Sequence, residues 1–114
     1  MFDVLFYELE NGRRPVEKFL NSLSEKSRAK TFVLLDQLAK FGNKIGEPES
    51  KYMGDGIFEL RLRTVDGQVR VFYFFCHDRR CVLTNGFLKK DKKTPRKYLN
   101  LARKYKTDYE MRFK

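Results

Sequence analysis

The feature that most restricts the fold is a strictly alternating segment in the middle of the chain. Its apolar and charged side chains alternate in the order Ile57, Phe58, Glu59, Leu60, Arg61, Leu62 and Arg63, as expected of a strand with one buried face. Asp66-Gly67 follows, and this dipeptide between two strand-like runs is the strongest short signal for a hairpin. The chain is therefore expected to contain an antiparallel pair with two chemically different faces.

The position of the turn predicts the register of this hairpin. A two-residue turn at Asp66-Gly67 places Val65 opposite Gln68, Arg63 opposite Arg70, Arg61 opposite Phe72 and Glu59 opposite Phe74. The second strand, predicted over Val69 to Cys76, then directs Val71, Tyr73 and Phe75 toward the core. The charged residues of the first strand and the remaining rings of the second are expected on the opposite face.

A third strand follows a predicted four-residue loop, His77 to Arg80. This loop places Cys76 opposite Cys81, Phe74 opposite Leu83, Phe72 opposite Asn85 and Arg70 opposite Phe87, with Lys89 beyond them on the same face. We expect His77 to be an exposed turn residue. The two cysteines are expected to remain free thiols in a reducing compartment.

The other segments complete an α+β pattern. A first strand, Phe2 to Leu9, is expected to be buried on both sides, and one helix begins at Pro15 while another runs from a Ser24 cap to Phe41. Gly42 is expected to close this helix in a left-handed turn, before a loop that holds Gly46, Pro48, Gly54 and Gly56. A last helix begins at Thr94-Pro95. Residues 1–114 thus predict a single domain with a mostly antiparallel four-stranded sheet, three helices on one face and the other face open.

Charge is distributed very unevenly along the chain. The formal net charge is +10, but residues 1–78 carry 12 basic and 12 acidic side chains, whereas residues 79–114 carry 13 basic and 3 acidic ones. A basic surface of this kind is typical of proteins that bind nucleic acid, although it is also compatible with a merely solvated face. No apolar run is long enough to span a bilayer, so we expect a soluble, cytoplasmic protein.

Several classes of enzyme are excluded by the absence of their motifs. The chain has no nucleophile elbow, phosphate-binding loop, dinucleotide fingerprint or zinc-protease motif, and two cysteines with one histidine cannot form a Cys/His zinc site. We therefore expect neither metal nor other cofactor.

On the predicted register, the open face combines cations with aromatic rings. Rings on an exposed sheet can stack on RNA bases while cations hold phosphates, and the members of this face are Glu59, Arg61, Arg63, Arg70, Asn85, Lys89, Phe72, Phe74 and Phe87. The rings are equally compatible with ordinary core beneath the basic C-terminal segment, because a one-residue slip would exchange the two faces.

Four lysines lie within the five positions 89–93, directly after the last predicted strand. Together with Arg61 and Arg70 they would surround a scissile phosphate, and a lysine crowded by cations can act as acid or base near neutral pH. The pattern predicts a ribonuclease that needs neither histidine nor metal. In it the RNA 2′-OH attacks the adjacent phosphorus while arginines stabilise the developing charge.

Five sequence strings resemble the phage-derived, HigB-like branch of the RelE superfamily of toxins. They run in order along almost the whole chain: G-R-x-P-V-x-x-F-L (12–20), K-x-x-x-L-L-x-x-L-x-x-F-G (30–42), G-D-G-I-F-E-L-R (54–61), V-R-V-F-Y-F-F (69–75) and N-G-F-L-K-K-x-x-K-T-P (85–95). The resemblance implies a type II toxin that cleaves mRNA in the decoding site of the small ribosomal subunit without metal. It also implies a helix-turn-helix, HigA-like antitoxin as partner, through which any contact with DNA would be indirect.

The resemblance implies a positively charged site at Arg61, Arg70, Lys89, Lys90 and Lys93. Glu59 and Asp91 are the nearest acids, each either taking part in proton transfer or only holding a cation. We assign Arg61, Arg70, Lys89, Lys93 and Glu59 to catalysis, and RNA binding to Arg63, Phe72, Phe74, Lys90, Lys92, Arg96 and Lys97. The tyrosines used by some relatives are not matched with assurance by Tyr98, Tyr105 or Tyr109.

The main alternative is a non-catalytic, basic protein that binds RNA or the ribosome through the same face. A DNA-binding regulator is a weaker alternative, because no helical pair has the short glycine turn and polar recognition helix of such proteins. An antitoxin is also expected on physical grounds, since a surface of this kind must be inactivated in the producing cell. The antitoxin would either cover the cationic site directly or bind the outer helices and block entry to the ribosome by its size. With Arg70 placed on the open face, Arg70→Ala is expected to abolish toxicity and leave the fold intact.

Overall fold

The structure, a computed structural model, describes residues 1–90 and 92–113. Its elements in chain order are β1 (Asp3–Phe6), α1 (Pro15–Ser22), α2 (Glu25–Phe41), one 3₁₀ turn (Gly42–Lys44), β2 (Ser50–Gly54), β3 (Ile57–Thr64), β4 (Gly67–Cys76), β5 (Arg80–Lys89) and α3 (Arg96–Arg112). The strands form one sheet in the order β1-β5-β4-β3-β2. Every neighbouring pair is antiparallel except β1 and β5. The predicted α+β class, with its mostly antiparallel sheet, is confirmed.

The two N-terminal helices begin and end where the sequence predicts. Pro15 occupies the first turn of α1, where its missing N–H costs no hydrogen bond. At the start of α2 the Ser24 side chain accepts a hydrogen bond from the Ser27 amide. Gly42 ends α2 with a φ of 51°, a conformation that favours glycine.

The turn of the β3–β4 hairpin lies one residue earlier than predicted, which shifts the pairing of the two strands by two residues. Thr64 pairs with Gly67, so the turn consists of Val65 and Asp66 rather than Asp66 and Gly67. The Asp66 carboxylate accepts a hydrogen bond of 2.6 Å from the Ser24 amide, which ties the turn to the start of α2. A shift of two residues leaves every side chain on its predicted face, because the strand period is two. It changes the partners, however, and brings Arg61 directly opposite Arg70.

The β4–β5 hairpin has a three-residue loop where four residues were predicted. Cys76 pairs with Arg80, Phe75 with Cys81 and Phe74 with Val82, so the predicted pairing of the two cysteines is wrong. Both cysteines are free, and burial raises the pKa of each thiol. A bulge between Phe72 and Tyr73 on β4 and their partners on β5 restores the predicted register, with Phe72 opposite Asn85 and Arg70 opposite Phe87.

The sheet has five strands rather than the predicted four, because it includes β2, a strand that was not predicted. This strand is short, is flanked by glycine and proline, and pairs on one side only, with residues 57–60 of β3. The first strand is shorter than the predicted Phe2 to Leu9 and is not buried on both sides, since it lies at the opposite edge and leaves Leu5 37% exposed. Edge strands carry weak hydrophobic patterns, which explains both differences.

Helices cover both faces of the sheet. On one face α1 and α2 pack on a core that includes Val71, Tyr73 and Leu83. On the other face α3 packs on Phe72, Phe74 and Phe87 through residues such as Ala102 and Tyr105. The expectation of three helices on one face is wrong, because burying three rings stabilises the fold by about 1.5–3 kcal/mol each and α3 is the element that covers them.

Across the part of the chain that the structure describes, none of the helices combines the length and the apolar character needed to cross a membrane.

Candidate functional site

Three charged residues of β3 and β4 form a cluster on the face that α3 covers: Glu59, Arg61 and Arg70. We call this the Glu59 cluster. Glu59 has no exposed surface, and its Oε1 lies 2.8 Å from Arg61 Nε and 3.6 Å from Arg70 Nε. Its Oε2 accepts a hydrogen bond of 2.7 Å from the Thr94 hydroxyl. One carboxylate therefore joins two arginines to the segment that leads into α3.

The strand register explains why these residues meet. Arg61 and Arg70 are direct cross-strand partners, a placement that is destabilising for two like charges. Glu59 precedes Arg61 by two residues on the same face, so its carboxylate reaches both guanidinium groups. A buried carboxylate with two cations is stable only when its oxygens are satisfied, as they are here.

Arg70 is a buried cation. Its side chain is only 9% exposed, and it donates hydrogen bonds to the Val69 carbonyl (3.1 Å) and to Gln68 Oε1 (2.6 Å). Within the described residues its buried Nε has no hydrogen-bond partner. Burial lowers the pKa of Arg70 while Glu59 acts in the opposite direction, and a guanidinium remains charged under both influences.

Burial of Arg70 contradicts its predicted place on an open face. We therefore expect Arg70→Ala to destabilise the fold rather than leave it intact, because this variant would leave the buried Glu59 with one cation fewer.

Arg61 is the most accessible residue of the cluster. Its side chain is 23% exposed, and it lines a cavity of about 610 Å³ at the edge of the sheet. Its backbone amide donates to the Glu49 carbonyl at 2.8 Å, which holds this part of β3 in place. A ligand in the cavity would reach Arg61 more directly than the other two residues.

The lysine-rich segment, residues 89–93, connects β5 with Thr94, which contacts this cluster. It begins at Lys89, the cross-strand partner of Gln68, and returns to the cluster at Thr94. The cations Lys90, Lys92 and Lys93 are exposed, as are Arg96 and Lys97 at the start of α3 and Arg63 on β3. In residues 1–90 and 92–113, the four lysines of this segment form no ion pair. Asp91, one of the two predicted acids, lies outside the described residues.

Phe72 and Phe74 do not lie on an exposed surface. Both side chains are fully buried beneath α3, and Phe87 stacks on Tyr98 with ring centroids 4.1 Å apart. Their assignment to RNA binding is wrong, and the alternative in which the rings form core beneath the C-terminal segment is confirmed. Phe72, Phe74 and Phe87 are therefore not available to stack on bases.

Sequence reasoning missed Thr94 and the cavity beside Arg61. The wall formed by α2 includes Val33, which is 59% exposed. Four consecutive apolar residues, Phe32 to Leu35, cover more than one face of this helix, and this was the signal that part of them would not be buried. Thr94 had no such signal, because its contact with Glu59 joins residues 35 positions apart.

Residues 18–107 match the family described as phage derived protein Gp49-like (DUF891). The chain belongs to this Gp49-like family. The matched region contains β2 to β5, the Glu59 cluster and the lysine-rich segment, so the family assignment covers the whole candidate site. The Gp49-like family is a RelE-like toxin family, and membership is compatible with the toxin of a toxin–antitoxin system. No curated protein matches the chain significantly.

Proposed function

We propose that this Gp49-like protein is a HigB-like type II toxin that cleaves mRNA on the ribosome. Family membership supports the assignment as a toxin, and the Glu59 cluster supports the proposed cleavage of RNA. The observation that carries the proposal is the accessible guanidinium of Arg61, which a buried carboxylate holds at a cavity. The same carboxylate accepts a hydrogen bond from Thr94, at the end of the lysine-rich segment. A preorganised cation at such a place stabilises charge that develops on a phosphate.

The proposed reaction is an internal phosphoryl transfer. The RNA 2′-oxygen forms a bond to the adjacent phosphorus while the bond from phosphorus to the 5′-oxygen breaks. The proton of the 2′-OH passes to a base, and the leaving 5′-oxygen takes up a proton. Lys89 and Lys93 are the proposed proton carriers, since they lie at the two ends of the segment that spans the cluster.

Arg61 and Arg70 have different roles in this mechanism. Arg61 contacts the pentacoordinate phosphorane and is the proposed catalytic arginine. Arg70 is buried below it and contributes fixed positive charge. Glu59 is better described as a positioning residue than as a base, because one oxygen accepts from Arg61 and the other from Thr94.

The exposed cations around the site are proposed to bind the ribosome and the mRNA backbone. They are Arg63, Lys90, Lys92, Arg96 and Lys97, all of which are solvent-exposed. Contacts of this kind release counterions, so binding should weaken steeply as salt is raised.

The deciding experiment compares wild type, Arg61→Lys and Arg61→Ala in bacteria and with purified ribosomes. Growth arrest and the 5′ ends of mRNA are measured after induction. We expect cuts within translated regions for wild type and a loss of about 100-fold or more in cleavage for both variants, since lysine cannot reproduce the planar fork. Arg103→Ala is the matched control, because Arg103 is an exposed arginine that pairs with Asp55 outside the cluster.

A non-catalytic ribosome binder is the second candidate. The observation that favours it is the burial of Glu59 and Arg70, which suits an ion cluster that only stabilises the sheet. A binder would show no new 5′ ends, and Arg61→Lys would retain its ribosome affinity. That pair of results would reject the endoribonuclease.

We further propose a cognate HigA-like antitoxin with a helix-turn-helix fold as the partner. The concentration of 13 basic against 3 acidic residues in positions 79–114 suits an acidic partner surface. The toxin would act in the cytoplasm, where ribosomes and mRNA are found, and would reach DNA only through the antitoxin.

A further inference from the structure

The cavity beside Arg61 is an open groove between α2 and β3. It exists because β2 pairs with β3 only as far as Leu60, so from Arg61 onward β3 has no strand on that side in the described structure. The amide of Arg61 donates a hydrogen bond to the Glu49 carbonyl, and α2 forms the opposite wall of the groove. The groove holds about 610 Å³, within the usual range for a ligand site.

The lining of the groove combines positive charge with an apolar floor. Lys30, Arg61, Arg63 and Arg70 border it, against the single acid Glu49. Leu34 and Leu62 contribute apolar surface, together with the exposed Val33. Such a lining selects an anionic ligand that also has a flat or apolar part.

Two amide side chains add hydrogen-bonding groups. Gln37 lies on the exposed part of α2. Gln68 uses its Oε1 to accept from Arg70, so its NH₂ group is available to a ligand. Amide groups that donate and accept are suited to the edge of a nucleobase.

A second hollow continues the groove along the chain. It holds about 270 Å³ between the start of α2 and the end of β3, and its lining includes Lys26, Lys30 and Arg63. Lys30 and Arg63 border both hollows. Two adjacent hollows that share cationic walls suit a linear polyanion better than a single small anion.

We propose that the groove between α2 and β3 binds the RNA nucleotide next to the scissile phosphate and sets the base preference of cleavage. The inference rests on the proposed function. With the scissile phosphate at Arg61, the neighbouring base lies on Val33 and Leu62, and Gln37 and Gln68 contact its edge. Lys30 and Arg63 bind the next phosphate.

An extended acidic peptide is the competing occupant. It would pair with the free edge of β3, but Lys30 Nζ already donates to the Arg63 carbonyl on this edge. A lysine placed there protects an edge against an added strand. The groove therefore favours RNA over a β-strand from a protein partner.

The test uses two neighbouring residues of α2 as a matched pair. Val33→Asp places an acid inside the groove, whereas Phe32→Asp places one on an adjacent position, 43% exposed, that does not line it. Affinity is measured by fluorescence anisotropy with a short oligoribonucleotide whose cleavage position carries a 2′-deoxy sugar. We expect Val33→Asp to weaken binding about tenfold and Phe32→Asp to leave it within about twofold of wild type. Melting curves of both variants check that they are folded.

Base preference is tested separately with Gln37→Ala. The 5′ ends of ribosome-bound mRNA are mapped for wild type and variant. We expect cleavage to continue, with a changed base distribution at one position beside the cut.

The possible failures are distinguishable. If wild type cuts mRNA and all three variants bind and cut as wild type does, the groove is not an RNA subsite and the proposed function stands. If Val33→Asp instead loses only antitoxin binding, the groove belongs to the protein partner and the inference is overturned. If wild type never cuts but Val33→Asp still loses oligoribonucleotide affinity, the RNA site stands and the endoribonuclease fails.

Discussion

Glu59 is a carboxylate without solvent contact whose neighbours are two arginines and a threonine hydroxyl. At the level of single residues, this arrangement assigns structural support and contact with a ligand to different side chains. The residue that joins the cluster is buried, whereas the residue that can meet a ligand, Arg61, is partly exposed. Loss of Glu59 should therefore reduce stability as well as activity.

We predict that Glu59→Gln lowers the free energy of unfolding by about 3 kcal/mol, because the buried Arg70 and the partly exposed Arg61 lose their counter-charge. Urea unfolding of the purified protein measures the change. Glu110→Gln is the control: Glu110 forms an exposed pair with Lys106, and its loss should cost at most about 0.5 kcal/mol. A Glu59→Gln variant that is as stable as wild type but inactive would indicate that Glu59 acts on the substrate.

At the scale of elements, local chemistry predicted helix ends well and strand register less well. Pro15, Ser24 and Gly42 act through their own backbone or first-turn contacts, so their roles can be read from neighbouring residues. The β3–β4 turn depends on a contact between Asp66 and the start of α2, 42 residues away. Local turn propensity cannot include such a contact, which explains why the pairing of β3 with β4 differs by two residues from the predicted register.

Gly42→Ala tests how strictly the end of α2 is determined. Gly42 has a φ of 51°, and a Cβ there would lie 2.1 Å from the Phe2 ring. We expect a loss of about 2 kcal/mol or more in the free energy of unfolding, from backbone strain and the clash together. Gly46→Ala is the matched control, since a Cβ at Gly46 meets no atom within 4 Å and its φ is not positive. Equal melting temperatures for the two variants would contradict the prediction.

In the whole molecule, helices cover both faces of the sheet. Each of the two cores contains a tyrosine whose pKa depends on how well it is buried. Tyr73 lies in the core beneath α1 and α2, where burial raises its pKa to about 12. Tyr7 lies on the α3 side, where burial and a hydrogen bond to Asp108 raise its pKa to about 12. Ionisation of either one opposes folding.

The sign of the pH dependence follows from these pKa values. Both exceed the ordinary value of 10.0, so the folded state favours the neutral phenol. The resulting stabilisation is complete below pH 10 and is lost as the pH rises toward 12. We expect Tyr73→Phe to reduce the loss of stability over this range, whereas Tyr52→Phe, at an exposed position, should not. Denaturant unfolding at a series of alkaline pH values measures both.

The α+β class, the helix boundaries and the sharing of faces by strand residues could be predicted from local sequence patterns. These properties depend on periodicity and capping, which act over a few residues. The cations of the candidate site could also be identified, because Arg61 and Arg70 share a face under any even shift in register.

The accessibility of these residues could not be predicted in this way, because it depends on how the elements pack. The position of α3 buries Phe72 and Phe74, and the contact between Thr94 and Glu59 joins the lysine-rich segment to the sheet. Arg70 is buried as well. The groove beside Arg61 likewise depends on where β2 ends and where α2 lies. Accessibility depends on packing between elements that are distant in sequence, and an alternating pattern is the same whether its second face meets solvent or a helix.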